Sequence, residues 1–337
     1  MKPRARRSLP IVAILTAVAV FSVAYRWGRQ SAQPNLAASD SPLRPANDRA
    51  ALPSVFRIVG DSMAPTLVDG DVCQLADCGT LQTGDVVAIR WGGKRHVKRV
   101  AAVGGDVVDR ADGRLTVGGR RLEDLLAERD TEEFLPPALV PVSSQPDHWS
   151  RDAAVPSRLV YGHRNPHQAG RITPVMDDYA INQTVRRVLN RVDRLVVEIR
   201  AKTPTVGLEA PFRVFFYDAE RAMVSTSSRD GWARYRDAVA DHAGDTGGGS
   251  DRLGMLDAAH PVAVELDEQQ ASRYTLQVYR EIEYRDDRQS GNVKYPVTLG
   301  DEEVFVVGDN VPISVDSRTL GPLQRTAIEG KIIDPSR

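Results

Sequence analysis

The sequence predicts a mainly β protein: an antiparallel β domain that carries a long, β-sandwich-like insertion and follows one N-terminal transmembrane helix. Three observations predict it. Short segments of alternating apolar and polar residues recur from Val55 to Val117 between Gly-rich turns. Segments rich in Val, Ile, Phe and Tyr return after Val192. Ahead of both, the run from Leu9 to Tyr25 is uncharged and mostly aliphatic. A chain of 337 residues is long enough for one large or two moderate cores, and its net charge of −1 lacks the basic excess of nucleic-acid binders. No nucleic-acid partner is expected.

The apolar run is near the lower length limit for crossing a bilayer. Lys2, Arg4, Arg6 and Arg7 precede it and Arg26 and Arg29 follow, which places the N-terminus in the cytoplasm and the remainder outside. A cleaved signal peptide is the competing reading, with Ser31-Ala32-Gln33 as its cleavage site, and Arg6-Arg7 raises a twin-arginine signal. Residues 30 to 53 are rich in Ser, Ala, Pro, Asn and Asp without periodicity, as a flexible linker is.

The first β segments are Val55 to Val59, Asp71 to Leu75, Asp85 to Trp91, His96 to Val103 and Arg114 to Val117, with Gly92-Gly93 as a hairpin turn. Cys73 and Cys78 are close enough in sequence for a small disulfide loop in an oxidising compartment, and two thiols are the equal alternative. Leu122 to Glu133 is helix-prone, and Pro136, Pro137, Pro141 and Pro146 then exclude regular helix. Further strands are expected at Arg158 to Tyr161, Leu195 to Arg200, Phe212 to Tyr217, Val262 to Leu266 and Tyr274 to Tyr279. Trp232 to Ala243 reads as one or two helical turns, and Val304 to Val307 as a buried-type strand entering a loop dense in Gly, Asn, Asp, Ser and Arg.

Three stretches concentrate chemistry. In the first, Gly60 permits a turn and Pro65 disfavours helix at Ala64, so Ser62 sits in a turning or extended segment. A serine hydroxyl is chemically idle without a base. In the second, alternation sends Lys98 and Arg99 to opposite faces of a strand, one of them inward. The third is the loop from Gly308 to Pro322.

Together these stretches resemble type I signal peptidases, membrane-bound serine/lysine proteases. The serine box stands here as Ser62-Met63-Ala64-Pro65-Thr66-Leu67, and the lysine box as Lys98-Arg99-Val100 with Gly105-Asp106. The last box is matched by Gly308-Asp309-Asn310, Ser314, Asp316-Ser317-Arg318 and Gly321, and Gly84-Asp85-Val86-Val87 matches the strand box between the first two. Three positions depart from the family pattern: Val311 and Ile313 stand in place of an arginine and an asparagine, and Gly104 in place of a proline. Because both ends of the chain must then meet at one site, the layout becomes a basic tail at 1–8, an anchor at 9–25, a linker at 26–53, a peptidase domain at 54–117 and 302–337, and an insertion at 118–301.

The resemblance implies a Ser62 nucleophile, a Lys98 general base and Ser314 orienting the amine. Gly60, Ser62 and Met63 form the oxyanion or substrate-binding edge, where Gly60 lacks the hydroxyl that some relatives carry. Asp309, Asn310, Asp316 and Arg318 shape the site; because a carboxylate beside Lys98 would hold its proton, both acids are expected to pair elsewhere, Asp316 with Arg318. It further implies signal-peptide-bearing preproteins and the lipid bilayer as partners, no cofactor and no metal, and a single-pass place in the cytoplasmic or inner membrane. Burial is the lever that would neutralise Lys98. Lys94, at the hairpin tip, is the rival base; His163 and His167 lack a third metal ligand, and Asp177-Asp178 point apart in extended chain. Two other readings remain: a self-cleaving regulator of the SOS-repressor type, and a membrane-anchored scaffold on a degenerate peptidase fold.

Overall fold

The computed structural model describes residues 54–129, 134–142, 144–182, 184–203, 212–217, 221–227, 232–238, 256–266, 268–286 and 293–333. The expected anchor, tail and linker lie outside these residues. Among the described residues no helix is long and apolar enough to cross a membrane.

The described chain is mainly β, and its sheets are antiparallel. Its organising element is a seven-stranded sheet in the order Ser54–Arg57, Val72–Ala76, Ile328–Ile333, Val86–Trp91, Lys94–Val103, Glu303–Val307, Leu323–Gln324. Strands from the two ends of the chain are interleaved in it. Ile328–Ile333 lies between two early strands, and Glu303–Val307 pairs with Lys94–Val103. Trp91 pairs with Lys94 across Gly92 and Gly93, whose φ values of 56° and 75° suit a tight hairpin turn that residues with a Cβ rarely adopt.

Alternation gives this sheet two buried faces. Val304 and Val306 enter a cluster with Leu81, Val87, Ile89 and Val100, whereas Phe305 and Val307 enter another with Ala101, Val108, Leu115 and Leu122. Full burial of one such side chain is worth about 1.5–3 kcal/mol, and a one-residue slip would exchange the two sets. Register is therefore fixed from both sides.

A four-stranded sheet (Arg213–Phe216, Val262–Glu265, Arg158–Tyr161, Trp149–Arg151) and a five-stranded sheet (Arg221–Ser227, Trp232–Ala238, Leu195–Ala201, Tyr274–Arg280, Val140–Pro141) share one apolar cluster. Tyr161, Val214, Phe216 and Val262 come to it from the first, and Val197, Ile199, Tyr235 and Val278 from the second. Inner faces of two sheets meeting over one core define a sandwich.

The structure corrects several expectations. Trp232–Ala238 is a strand, not helical turns: it pairs on both sides, with Ala233 and Tyr235 buried and Arg234 and Arg236 turned outward. That is a period of two, and sheet pairing overrides the weak helical preference; residues 239–243 lie outside the described residues. The helix expected at Leu122 to Glu133 spans Leu122–Ala127, because Arg129 turns aside to donate to the Thr83 carbonyl (2.6 Å) and the Asp85 carboxylate (2.5 Å). Strands at Val107–Ala111, Arg221–Ser227 and Ile328–Ile333 were not foreseen. No bond joins Cys73, which is buried, to Cys78, which is half-buried.

Gly104, which replaces the expected proline, is explained by close approach: a Cβ there would lie 2.3 Å from the carbonyl oxygen of Asp301. Overpacking of this kind typically costs 1–3 kcal/mol. Gly104→Ala is expected to lower stability in urea unfolding by about 2 kcal/mol; an unchanged midpoint would show that the 104–301 contact has slack.

Candidate active site

Ser62 lies in a turn, not a strand, that runs from Asp61 to Leu67. Ala64 N–H donates to the Asp61 carbonyl (3.0 Å), and Leu67 N–H to the Met63 carbonyl (3.0 Å). Buried Met63 and Ala64 anchor the turn's inner side and leave Ser62 half-exposed. Gly60 has a φ of 84° and its N–H is committed to Asp69 Oδ1 at 2.8 Å. Gly60 therefore reverses the chain but offers no donor to a developing oxyanion.

Lys98 comes from the strand Lys94–Val103, and a 2.8 Å hydrogen bond joins its Nζ to Ser62 Oγ. Only 3% of Lys98 is exposed. Burial pushes its amine down to about 8; Arg318 acts in the same direction, and Asp316 and Asp309 act against it. The removal of solvent wins because each carboxylate already holds an arginine. Lys94, by contrast, is exposed at the hairpin tip.

Lys98 and Arg99 do leave the strand on opposite faces, but both are buried, because the sheet is covered on both sides. Arg99 is compensated where Lys98 is not. Its Nε and Nη2 donate to Asp309 Oδ1 (2.9 Å) and Oδ2 (2.7 Å), and its Nη1 to the carbonyls of Gly84 (2.9 Å) and Leu135 (2.7 Å). Asp309 also accepts from Tyr284 Oη at 2.8 Å and from Thr66 Oγ1.

In the last loop Asp316 caps the short helix Ser317–Leu320 and takes Arg318 Nε (2.9 Å) and Nη2 (2.6 Å) together with Gly308 N–H (2.9 Å). Burial alone would raise the Asp316 carboxyl, but the Arg318 guanidinium holds it below its usual range. The Ser314 hydroxyl supports the same carboxylate. Gly308 lets this loop touch the serine turn: a Cβ there would fall 2.2 Å from Ser314 Oγ and 2.5 Å from the Ser62 carbonyl oxygen. Asn310 closes the contact, its N–H on the Ser62 carbonyl (3.1 Å) and its Nδ2 on the Asp61 carbonyl (3.0 Å).

The structure thus gathers Ser62, Lys98, Asp309, Asn310, Ser314, Asp316 and Arg318, three separate stretches of sequence, around one hydroxyl–amine pair. The sequence profile of the signal peptidase family, peptidase S26, matches residues 47–175 and 257–335, more than half of the chain. The chain belongs to the signal peptidase family. No curated protein matches it. All residues of this cluster fall inside the family match, whereas 176–256 lies between its two parts.

Among the family-pattern departures, Val311 is buried in the cluster of Phe305, Val307 and Leu122, and Ile313 is more than one-third exposed. Neither interrupts the Ser62–Lys98 contact. His163 is buried against the Tyr161 hydroxyl (3.1 Å) while His167 is exposed. No group of three or more potential metal ligands occurs among the described residues. Asp177 is caged by Arg187 and Asn190. Residues that sequence reasoning missed are Thr66, Arg99 and Tyr284, which hold Asp309, and Tyr179 and Asn182, which reach the same loop. Thr66 and Arg99 stand inside the recognised boxes; nothing in the sequence around Tyr179, Asn182 or Tyr284 signals their partners.

Removing one member of a buried ion pair leaves an uncompensated charge and costs about 3–5 kcal/mol. Asp309→Ala is expected to fall in that range by urea unfolding, and a loss below about 1 kcal/mol would remove Asp309 from its central place.

Proposed function

We propose that the chain is a membrane-bound endopeptidase that removes N-terminal signal peptides from exported preproteins, with Ser62 as nucleophile and Lys98 as general base. The observation that carries this reading is the 2.8 Å contact between Ser62 Oγ and a buried lysine amine whose pKa is pushed down to about 8. An amine of ordinary pKa near 10.4 would stay protonated at neutral pH and accept nothing. One near 8 is partly neutral there and close to the value at which a general base works best.

In acylation Lys98 Nζ takes the Ser62 proton while Oγ bonds to the scissile carbonyl carbon, and the same proton then passes to the leaving amine as the C–N bond breaks. Water, activated by the neutral amine, cleaves the ester and restores Ser62. The family reading has Ser314 orient the amine; in this chain its hydroxyl supports the Asp316 carboxylate beside Lys98. The backbone N–H of Ser62 is one donor for the oxyanion. Asp316 and Asp309 stay committed to Arg318 and Arg99, which keeps their charges from fixing the proton on Lys98.

A single N-terminal anchor, with the N-terminus inside and the peptidase domain on the extracytoplasmic face, brings the site to the membrane surface where preproteins emerge. Substrates with small side chains before the cleavage point, of the Ala-x-Ala kind, fit the family reading.

Cleavage of a preprotein in detergent or liposomes tests this. The wild-type chain should cut, Ser62→Ala and Lys98→Met should not, and Lys94→Met should match the wild type. Because the neutral amine is the active form, kcat/KM should rise with pH through a midpoint near 8. Equal loss with Lys94→Met would take the base role from Lys98 alone, and a folded wild type that cuts nothing would favour the scaffold reading instead.

A further inference from the structure

The segment from Asp177 to Arg191 lies wholly outside the stretches that match the family, yet it reaches the innermost loop of the site. Tyr179, buried, donates from Oη to the Asp309 carbonyl at 3.1 Å. Asn182 Nδ2 donates to Asn310 Oδ1 at 2.6 Å, and Asn310 Nδ2 donates back to Asn182 Oδ1 at 3.1 Å. This reciprocal amide pair joins a side chain of the unmatched segment to the residue that holds the serine turn.

The segment is built to deliver that side chain. Its start is fixed by Asp177, whose carboxylate takes Arg187 Nη1 at 2.9 Å to each oxygen and Asn190 N–H at 2.8 Å. The Arg280 guanidinium covers the Tyr179 ring at 4.6 Å. Asn182 N–H then bonds the Tyr179 carbonyl (2.9 Å), closing a short 3₁₀ turn over Ala180–Asn182.

We propose that Asn182 is a positioning residue for the nucleophile, acting through Asn310; the proposal rests on the peptidase reading of Ser62 and Lys98. The Asn310 amide has two ends that differ in hydrogen-bonding sense but hardly in shape. Only one orientation presents Nδ2 to the Asp61 carbonyl, and the opposite one sets oxygen against oxygen. The Asp61 carbonyl distinguishes the two ends, and Asn182, meeting both at once, holds the amide in that orientation. Without it the amide turns more readily, the bond to Asp61 weakens, and the residue immediately before Ser62 is held less firmly. Displacement of a nucleophile by about 1 Å can cost on the order of 10²-fold, and a loosened turn samples part of that range.

The test is a double-mutant cycle on preprotein cleavage with the full chain: Asn182→Ala, Asn310→Ala and both together. Asn182→Ala is expected to lower kcat about 10-fold with KM and the pH midpoint unchanged, because Lys98 is untouched. The double variant should be no worse than Asn310→Ala, since the first residue acts through the second. Three results overturn the proposal: an Asn182→Ala kcat equal to wild type, losses that multiply in the double variant, or a loss that appears in KM alone. To separate this proposal from the peptidase reading, the cycle is repeated on Ser62→Cys, following iodoacetamide alkylation at position 62 by peptide mass spectrometry. A wild-type chain that cuts nothing, combined with non-additive alkylation rates, would sink the peptidase reading and leave the positioning role standing. Additive alkylation rates would sink the positioning role.

Discussion

The buried ion pair between Arg99 and Asp309 is the constraint from which the site follows. Both side chains have no exposure, so neither charge is tolerable alone. The solution ties together pieces that are remote in sequence. Arg99 draws in the carbonyls of Gly84 and Leu135, and Asp309 draws in Thr66 from the serine turn and Tyr284 from just before the last stretch. Such a pair is weak evidence for net stability, because desolvation consumes most of the attraction. Its value here is geometric: the serine turn, the lysine strand and the last loop meet in a single arrangement.

Lys98 shows the opposite treatment of a buried cation one residue earlier. Among the described residues no carboxylate is hydrogen-bonded to it, although two stand near enough to raise its pKa. Asp309 is saturated by Arg99, Tyr284 and Thr66, and Asp316 by Arg318 and the Gly308 N–H. The arginines therefore do two jobs, satisfying the acids and withholding them from the amine. Two adjacent cations on one strand are both buried: Arg99 keeps the charge that a guanidinium always carries and has a carboxylate to balance it, whereas the Lys98 amine is pushed down to about 8.

Much of this was legible in the sequence. The β class followed from alternation, and the hairpin at Gly92-Gly93 from its two glycines. The pairing of Asp316 with Arg318 and the burial of Lys98 were also anticipated, both from the need to neutralise an amine. What stayed hidden has a common physical origin: it depends on contacts across long sequence separations. Ile328–Ile333 is a strand because Val72–Ala76 and Val86–Trp91 leave a gap for it. Trp232–Ala238 is one because both neighbours bond to it, although its own alternation of Ala233, Arg234, Tyr235 and Arg236 was open to a reading with period two. Alternation brought only one of Lys98 and Arg99 inward, because a strand pattern does not reveal that both faces of its sheet are covered. Asn182 carries no local signal at all; its role exists only through Asn310.

The account stands or falls on the protonation of one amine. Lys98 can be observed directly by ¹³C NMR after reductive methylation, with Lys98→Met used to assign its signal, titrated between pH 6 and about 11 in the range where lysines change charge. The structure predicts a midpoint near 8. A midpoint at the ordinary lysine value, near 10.4, would mean that the amine beside Ser62 remains charged at neutral pH and does not serve as its base.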